Sequence, residues 1–420
     1  MQALSFLRSL DFESLILLFW YTVIFEIPRH TIGTIAITAT RLWGAASSRE
    51  KVDFKLSVIL AGHNEARPLR TCIEGLAEQT ILAELGAIEV IVVDDGSTDR
   101  MLEVALDLRR EGKIDTVLHL AHRGGKSAAV NLGLSACTGD IVVISDIDTT
   151  FDRSAFAEIV GYFADPRVGA VSGNLGVRNS YASLVTRCQA IEYAISISLG
   201  RSVQDALGIL SIVSGAFGAF RRSAIEQVGG QDVEVGEDAD LTMKLRRAGW
   251  HIRFAPDAHA LTDVPETVSA LIAQRLRWDR GLVTIWMRKF RGVFDPRQFT
   301  FRMIDVMALT DIVGYQVLLA FAFPIYLIWL YIYLGDLATT IIEATLIGLM
   351  ALNLLAFVAA AAIGIHTPFR LILYLPLYTV LQLTLMRSVR IVAIVQELIF
   401  RSSYHDPYVP PRVMSQVEIV

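Results

Sequence analysis

Two carboxylates one residue apart, Asp146 and Asp148, directly follow the aliphatic run Ile141-Val142-Val143-Ile144-Ser145. Such a run reads as a buried strand, and in an open α/β sheet ligands bind just beyond the carboxyl ends of strands. Carboxylates at that place suit a hard divalent cation, Mg2+ or Mn2+, which takes oxygen ligands and often completes its shell with substrate phosphates. Three further clusters have a comparable setting. Gly62-His63-Asn64-Glu65 follows a strand read over 56–61, and Asp94-Asp95-Gly96-Ser97 follows one over 89–93. Gly236-Glu237-Asp238-Ala239-Asp240 opens a helix read over 241–248. A single acidic pair would be no more than an N-cap with a first-turn acid. Carboxylates gathered on several ends of one sheet repel one another unless a cation or a hydrogen-bond donor lies among them.

Two basic stretches add to these acids. Gly124-Gly125-Lys126-Ser127 imitates the end of a phosphate-binding loop of the G-x-x-x-x-G-K-[ST] type, but Leu120 stands where the first glycine belongs. No G-x-G-x-x-G follows the first strand either, so neither a P-loop nor a dinucleotide site is supported. Lys126 still offers a point charge to a diphosphate, beside helix amides whose dipole favours anions. Gln274 and Arg277 lie three apart and Trp278 lies four from Gln274, which places them on one face of a helix. A guanidinium there can hold a diphosphate and an indole can stack on a sugar ring; Trp278 would equally serve as a marker of a membrane interface.

The elements that must position these residues are strands and helices in alternation. After the strands over 56–61 and 89–93 with their helices (67–79 and 98–111) come a strand over 116–120, a helix over 126–137 and the strand before Asp146. Aliphatic strands alternating with helices predict a mostly parallel, Rossmann-like α/β sheet covered on both faces. No internal repeat or low-complexity stretch interrupts it.

Composition places this sheet beside a membrane. The 420 residues are 53% hydrophobic and only 19% charged, with a mean hydropathy of +0.47, which is too apolar for an ordinary soluble enzyme. The net charge of −5 argues against nucleic acid as a partner, because backbone binding needs an excess of Lys and Arg. Residues 15–37 have the length of a span if Glu26 and Arg29 pair, snorkel or line protein; the alternative is an interfacial helix. This stretch lacks a basic n-region and an A-x-A site and is not read as a cleaved signal. Arg41, Arg49, Lys51 and Lys55 then put the following domain in the cytoplasm. A basic, Trp-containing helix over 268–291 suits a membrane surface. Spans are read over 310–334 and 340–365, whereas the run over 371–386 either crosses or re-enters. The resulting division is 1–40 (N-terminal span), 41–265 (cytoplasmic domain), 266–309 (interfacial helices), 310–400 (membrane region) and 401–420 (tail). Cys72, Cys137 and Cys188 are too scattered for a disulfide frame or metal knuckle and read as buried free thiols.

Taken in order over residues 56–281, DDGS, GGKSAAVNLGL, DID, SGAFGAFRR, GED and QRLRW resemble the processive, inverting family 2 glycosyltransferases of the GT-A fold. That family comprises membrane synthases of cellulose, chitin oligosaccharide, hyaluronan and poly-β-1,6-N-acetylglucosamine. The resemblance implies a UDP-sugar donor, either UDP-N-acetylglucosamine or UDP-glucose, with its base against residues 61–65, including Asn64 and Glu65, and against Asp94, beside Asp95. It implies diphosphate and Mg2+ or Mn2+ at Asp146 and Asp148, with Lys126 and Arg277 on the diphosphate. It also implies Asp238 as general base, Gln274 and Trp278 at the acceptor, and Ser214-Gly215 in the loop beneath the acceptor sugar. The expected product is a β-linked polysaccharide exported across a bacterial-type inner membrane, with accessory export or regulatory subunits as further partners. Two other readings remain: a non-processive transferase loading one sugar onto a lipid phosphate, and a nucleotide-sensing membrane protein. Gly62-His63-Asn64-Glu65 departs from the family's tyrosine-containing version, and no gating-loop motif follows Trp278.

Overall fold

The computed structural model describes residues 9–28, 31, 33, 35, 37, 54–295, 297, 302–362, 367–406 and 409–414. Its centre is a sheet of eight strands, β1 (Leu56–Gly62), β2 (Glu89–Asp94), β3 (Thr116–His119), β4 (Ile141–Ser145), β5 (Thr150–Phe151), β6 (Val168–Val177), β7 (Phe217–Arg221) and β8 (His251–Thr262). Their spatial order is β3-β2-β1-β4-β7-β6-β8-β5. Strand β1 shows why the middle of this sheet reads as an unbroken apolar run. Val58 and Leu60 pack on one face with Leu69, Ile73, Met101, Leu108 and Phe156. Ile59 and Ala61 pack on the other with Ala129, Val130, Ile225, Leu241 and Leu245. Each fully buried aliphatic side chain of this kind contributes roughly 1.5–3 kcal/mol, so both faces need a helical cover.

The expectation of a mostly parallel sheet holds for six of the eight strands, since β6 and β8 pair parallel and run the same way as β1 to β4, while β7 and β5 are reversed. β3, β2, β1 and β4 run parallel, but β7 is antiparallel to both β4 and β6, and β5 is antiparallel to β8. The chain leaves β6 for the helices Leu184–Glu192 and Gly200–Ala206 and re-enters the sheet at the same end, running back along β6. Phe217, at the start of β7, therefore pairs with Ser145, at the end of β4. That reversal brings Ser214 and Gly215 beside the acidic loop after β4.

The apolar helices form separate clusters: one joins residues between 188 and 199 to residues between 356 and 378, and another packs Phe19 and Tyr21 against residues between 319 and 344. Leu337–Ala362, with a mean hydropathy of 2.1 over its best window, is the one helix among the described residues long and apolar enough to cross a membrane. The stretch read as a span over 310–334 is helical in three consecutive pieces, Met303–Ile312, Val313–Leu318 and Leu319–Leu334. The run over 371–386 becomes a 3-10 turn, Phe369–Tyr374, followed by helical segments that end with Arg387–Phe400. In the N-terminal stretch, Phe12–Leu18 and Thr22–Glu26 are helical, and Arg29 lies outside the described residues. Glu26 is buried and paired, with the Arg387 guanidinium and with the Tyr21 hydroxyl at 3.1 Å. Cys72, Cys137 and Cys188 are free and buried.

Candidate active site

The ends of β1, β2 and β4 open side by side into a cavity of about 840 Å³. Its wall includes Gly62, His63, Glu65, Asp95, Lys126, Asp146, Asp148, Ser214, Gly215, Glu237 and Asp238. Gln274, Arg277 and Trp278 close the other side, and the same cavity continues to Asn353, Thr379 and Gln382 among the apolar helices.

Loop geometry holds Lys126 in place. Gly125, with φ +85°, precedes the helix Lys126–Ala136. The Asp95 carboxylate accepts from the backbone N–H of Gly124 at 2.6 Å and of Gly125 at 2.9 Å. Gly96 adopts φ +64°, and a Cβ there would stand 2.7 Å from the Arg123 backbone nitrogen, so only glycine lets the two loops meet. Lys126 Nζ pairs with Asp146 and donates to the Gly215 carbonyl at 3.3 Å. One ammonium thus links the ends of β4 and the β7 entry.

The acids around it are under electrostatic pressure. Burial, reinforced by Asp146 and Asp148, pushes Glu65 up to about 8. Burial and Asp146 push Asp148 up to about 6, and burial with Asp238 pushes Glu237 up to about 7. Glu65 Oε2 and Asp148 Oδ1 are buried without a hydrogen-bond partner. Unpaired buried carboxylate oxygens are costly, and a hard cation with phosphate co-ligands would satisfy them. Among the described residues, no three His, Cys, Asp or Glu side chains form a ready-made metal cage. The donor set fits a cation that takes the rest of its shell from a bound diphosphate.

On the opposite wall, Thr267 caps the helix Val268–Leu282, accepting from Ala270 N at 3.3 Å. Trp278 is 38% exposed, and Arg275 covers one indole face with its guanidinium carbon 4.4 Å from the ring centroid. Glu192 holds Arg275 at 2.8 Å. Gln274 Oε1 is buried without a partner. Ser214 is anchored through its backbone N–H to Ser172 Oγ at 3.2 Å.

Two residues expected at the ligand stand elsewhere. Asp94 is wholly buried and absent from the cavity wall. Its carboxylate is held by His119 Nδ1 at 2.8 Å and by Ser97 N–H at 3.1 Å, so it ties β2 to β3 and to the DDGS turn behind the cavity wall. Asn64, in the left-handed region at φ 63°, turns its Oδ1 to Thr98 N at 2.7 Å and Asp99 N at 3.2 Å. It ties the β1 loop to the DDGS turn, because a short amide can serve backbone donors that no regular element satisfies. Glu237 and His63, read only as members of their clusters, both line the cavity, and motif reading missed Arg201, which lines it too and donates to Ser172 Oγ at 3.2 Å. Arg201 lies on a helix with no motif, so only the fold could reveal it.

Residues 57–229 match the model of "Glycosyl transferase family 2". This segment is a family 2 glycosyltransferase domain. Poly-beta-1,6-N-acetyl-D-glucosamine synthase of Staphylococcus aureus (strain COL) is 30% identical over 268 residues, covering 63% of this chain and 64% of the relative. The enzyme of that name from Staphylococcus epidermidis is 28% identical over the same shares. The chain thus spans a little under two thirds of the length of these relatives. Among solved structures, a mannosyltransferase from Pyrobaculum calidifontis in complex with GDP-Man and Mn2+ superposes with a TM-score of 0.64 at 21% identity. It covers 91% of this chain and 99% of its own, so the glycosyltransferase domain has the GT-A fold.

Proposed function

We propose that this chain is an inverting, processive glycosyltransferase of a bacterial-type inner membrane, polymerising a sugar from a UDP-sugar into a β-linked polysaccharide. The observation that carries this reading is the single cavity in which Lys126, Asp146, Asp238 and Gln274-Arg277-Trp278 face one another and which continues among the apolar helices. The similarity to poly-N-acetylglucosamine synthases supports UDP-N-acetylglucosamine as donor, with UDP-glucose the alternative.

Asp238 accepts the proton of the acceptor hydroxyl, a role that requires hydrogen-bond reach to it. The acceptor oxygen forms the new bond at the anomeric carbon as the bond to the diphosphate oxygen breaks, and UDP departs with the electron pair. Displacement in one step converts an α-linked donor into a β-linked product. Lys126 and Arg277 offset the charge growing on the leaving diphosphate. A divalent cation at Asp146 and Asp148 would supply further Lewis-acid stabilisation there. Gln274, Trp278 and the Ser214-Gly215 loop orient the acceptor sugar, and Glu65 and Asp95 lie toward the nucleoside end. Export follows if the product leaves through the part of the cavity lined by Asn353, Thr379 and Gln382.

The test is to incubate membranes holding the full chain with UDP-N-acetylglucosamine or UDP-glucose and Mg2+ or Mn2+, measuring UDP release and product length. Long β-linked chains are expected. A product of one sugar on a lipid phosphate would replace the polymerase by the non-processive reading, and no UDP release with any donor would leave a sensor.

A further inference from the structure

Lys289 lies outside the cavity wall, at the end of the helical segment Val283–Lys289 that continues the helix carrying Gln274, Arg277 and Trp278. Three carboxylates converge on its Nζ: Asp232 at 2.8 Å, Glu234 at 2.9 Å and Asp240 at 2.8 Å. Two of these precede the Glu237-Asp238 pair and one follows it. Lys244, on the helix Glu237–Arg247, holds the other oxygen of Asp232 at 2.8 Å. Asp240 is wholly buried and Glu234 nearly so, with a side-chain exposure of 10%. A surface ion pair would carry little weight, but a buried cluster left without its cation must protonate or move.

A second contact joins the same two segments. Gly236, at φ +93°, packs against Gly281, and a Cβ on Gly281 would stand 2.9 Å from the Val235 carbonyl oxygen. Backbone meets backbone there, about two turns before Lys289 on one side and two residues before Asp238 on the other.

We propose that Lys289 is a positioning residue for the transfer step, holding the Asp232–Asp240 segment against the acceptor helix and so setting where Asp238 stands in the cavity. The proposal rests on Asp238 being the base, as in the function proposed above. Nucleotide contacts at Lys126 and Asp146 belong to other elements and stay intact when Lys289 is changed. A base displaced by about 1 Å loses on the order of a hundredfold in rate, so the effect falls on kcat.

The experiment uses the full chain in detergent or nanodiscs, with UDP-N-acetylglucosamine kinetics and calorimetric UDP binding. Lys289→Met is expected to lower kcat by about 10- to 100-fold with donor KM and UDP affinity within threefold, and Lys289→Arg to restore most of the rate. Gly281→Ala, which removes no charged group, is expected to lower kcat with the same unchanged UDP affinity; it stands in if Lys289→Met does not fold. Full kcat in Lys289→Met, or in Gly281→Ala, would overturn the proposal, as would a parallel loss of rate and UDP affinity. A wild-type chain that binds UDP but transfers no sugar would remove the proposed function, and this inference with it.

Discussion

Glu65 makes a prediction that can be worked out in numbers. Its carboxyl, ordinarily near 4.5, stands at about 8 in the folded chain, chiefly through burial and then through Asp146 and Asp148. In the unfolded chain Glu65 is ionised at pH 7, so folding must take up a proton. One pKa unit corresponds to about 1.4 kcal/mol, and between pH 4.5 and 7 the difference accumulates to roughly 3 kcal/mol against folding. The sign follows from the raised folded value: the penalty is absent below about 4.5, grows as pH rises and levels off above 8. Glu65→Gln keeps the shape and the neutral state, and should therefore stabilise the ligand-free chain by about 2–3 kcal/mol at pH 7 and by almost nothing at pH 4.5. Denaturant or thermal unfolding of the purified chain at pH 4.5, 7 and 8.5, without nucleotide or divalent ion, measures this directly. Equal stability of the two proteins at pH 7, or a gain that persists undiminished at pH 4.5, would refute the electrostatic account of this site.

Other substitutions probe separate parts of the cavity. Asp238→Asn should lower transfer by at least a thousandfold while UDP affinity stays within threefold, measured by UDP release and calorimetry; normal turnover would remove Asp238 as the base. Asp146→Ala should abolish the Mn2+-dependent part of UDP binding, so that titrations with and without the ion coincide. Asp94→Asn should lower stability by about 1–3 kcal/mol, through the lost charge-assisted bond to His119, and leave the preference among nucleoside diphosphates unchanged; a changed base preference would return Asp94 to the ligand. Trp278→Ala should shorten the polymer with little effect on UDP affinity, read by chromatography of the product.

The sequence carried the catalytic half well because its signals are local. Strands β1, β2 and β4 are buried on both faces, so each is an aliphatic run with acids at its end. The helix at Lys126 and the Gln274-Arg277-Trp278 face were legible from spacing alone. β6 was not, since Val-Gly-Ala-Val-Ser-Gly-Asn-Leu-Gly-Val has three glycines and no alternation. β7 was hidden for a different reason: Phe217–Arg221 follows a glycine-containing loop and is specified by its pairing with β4 and β6, a long-range effect. Asp94 and Asp95 are adjacent carboxylates of one motif, yet strand alternation turns one inward and the other toward the cavity. Asn64 likewise is decided by a left-handed backbone that its residue type permits but does not announce.

All three native thiols, at Cys72, Cys137 and Cys188, are shielded inside the fold. Maleimide reagents should therefore pass them by while the chain is native, with no need for a cysteine-free background. A single thiol introduced at exposed Tyr181, away from the cavity wall, would then carry a fluorophore or spin label of known position, so that movement of the domain during turnover could be followed in the otherwise unaltered enzyme.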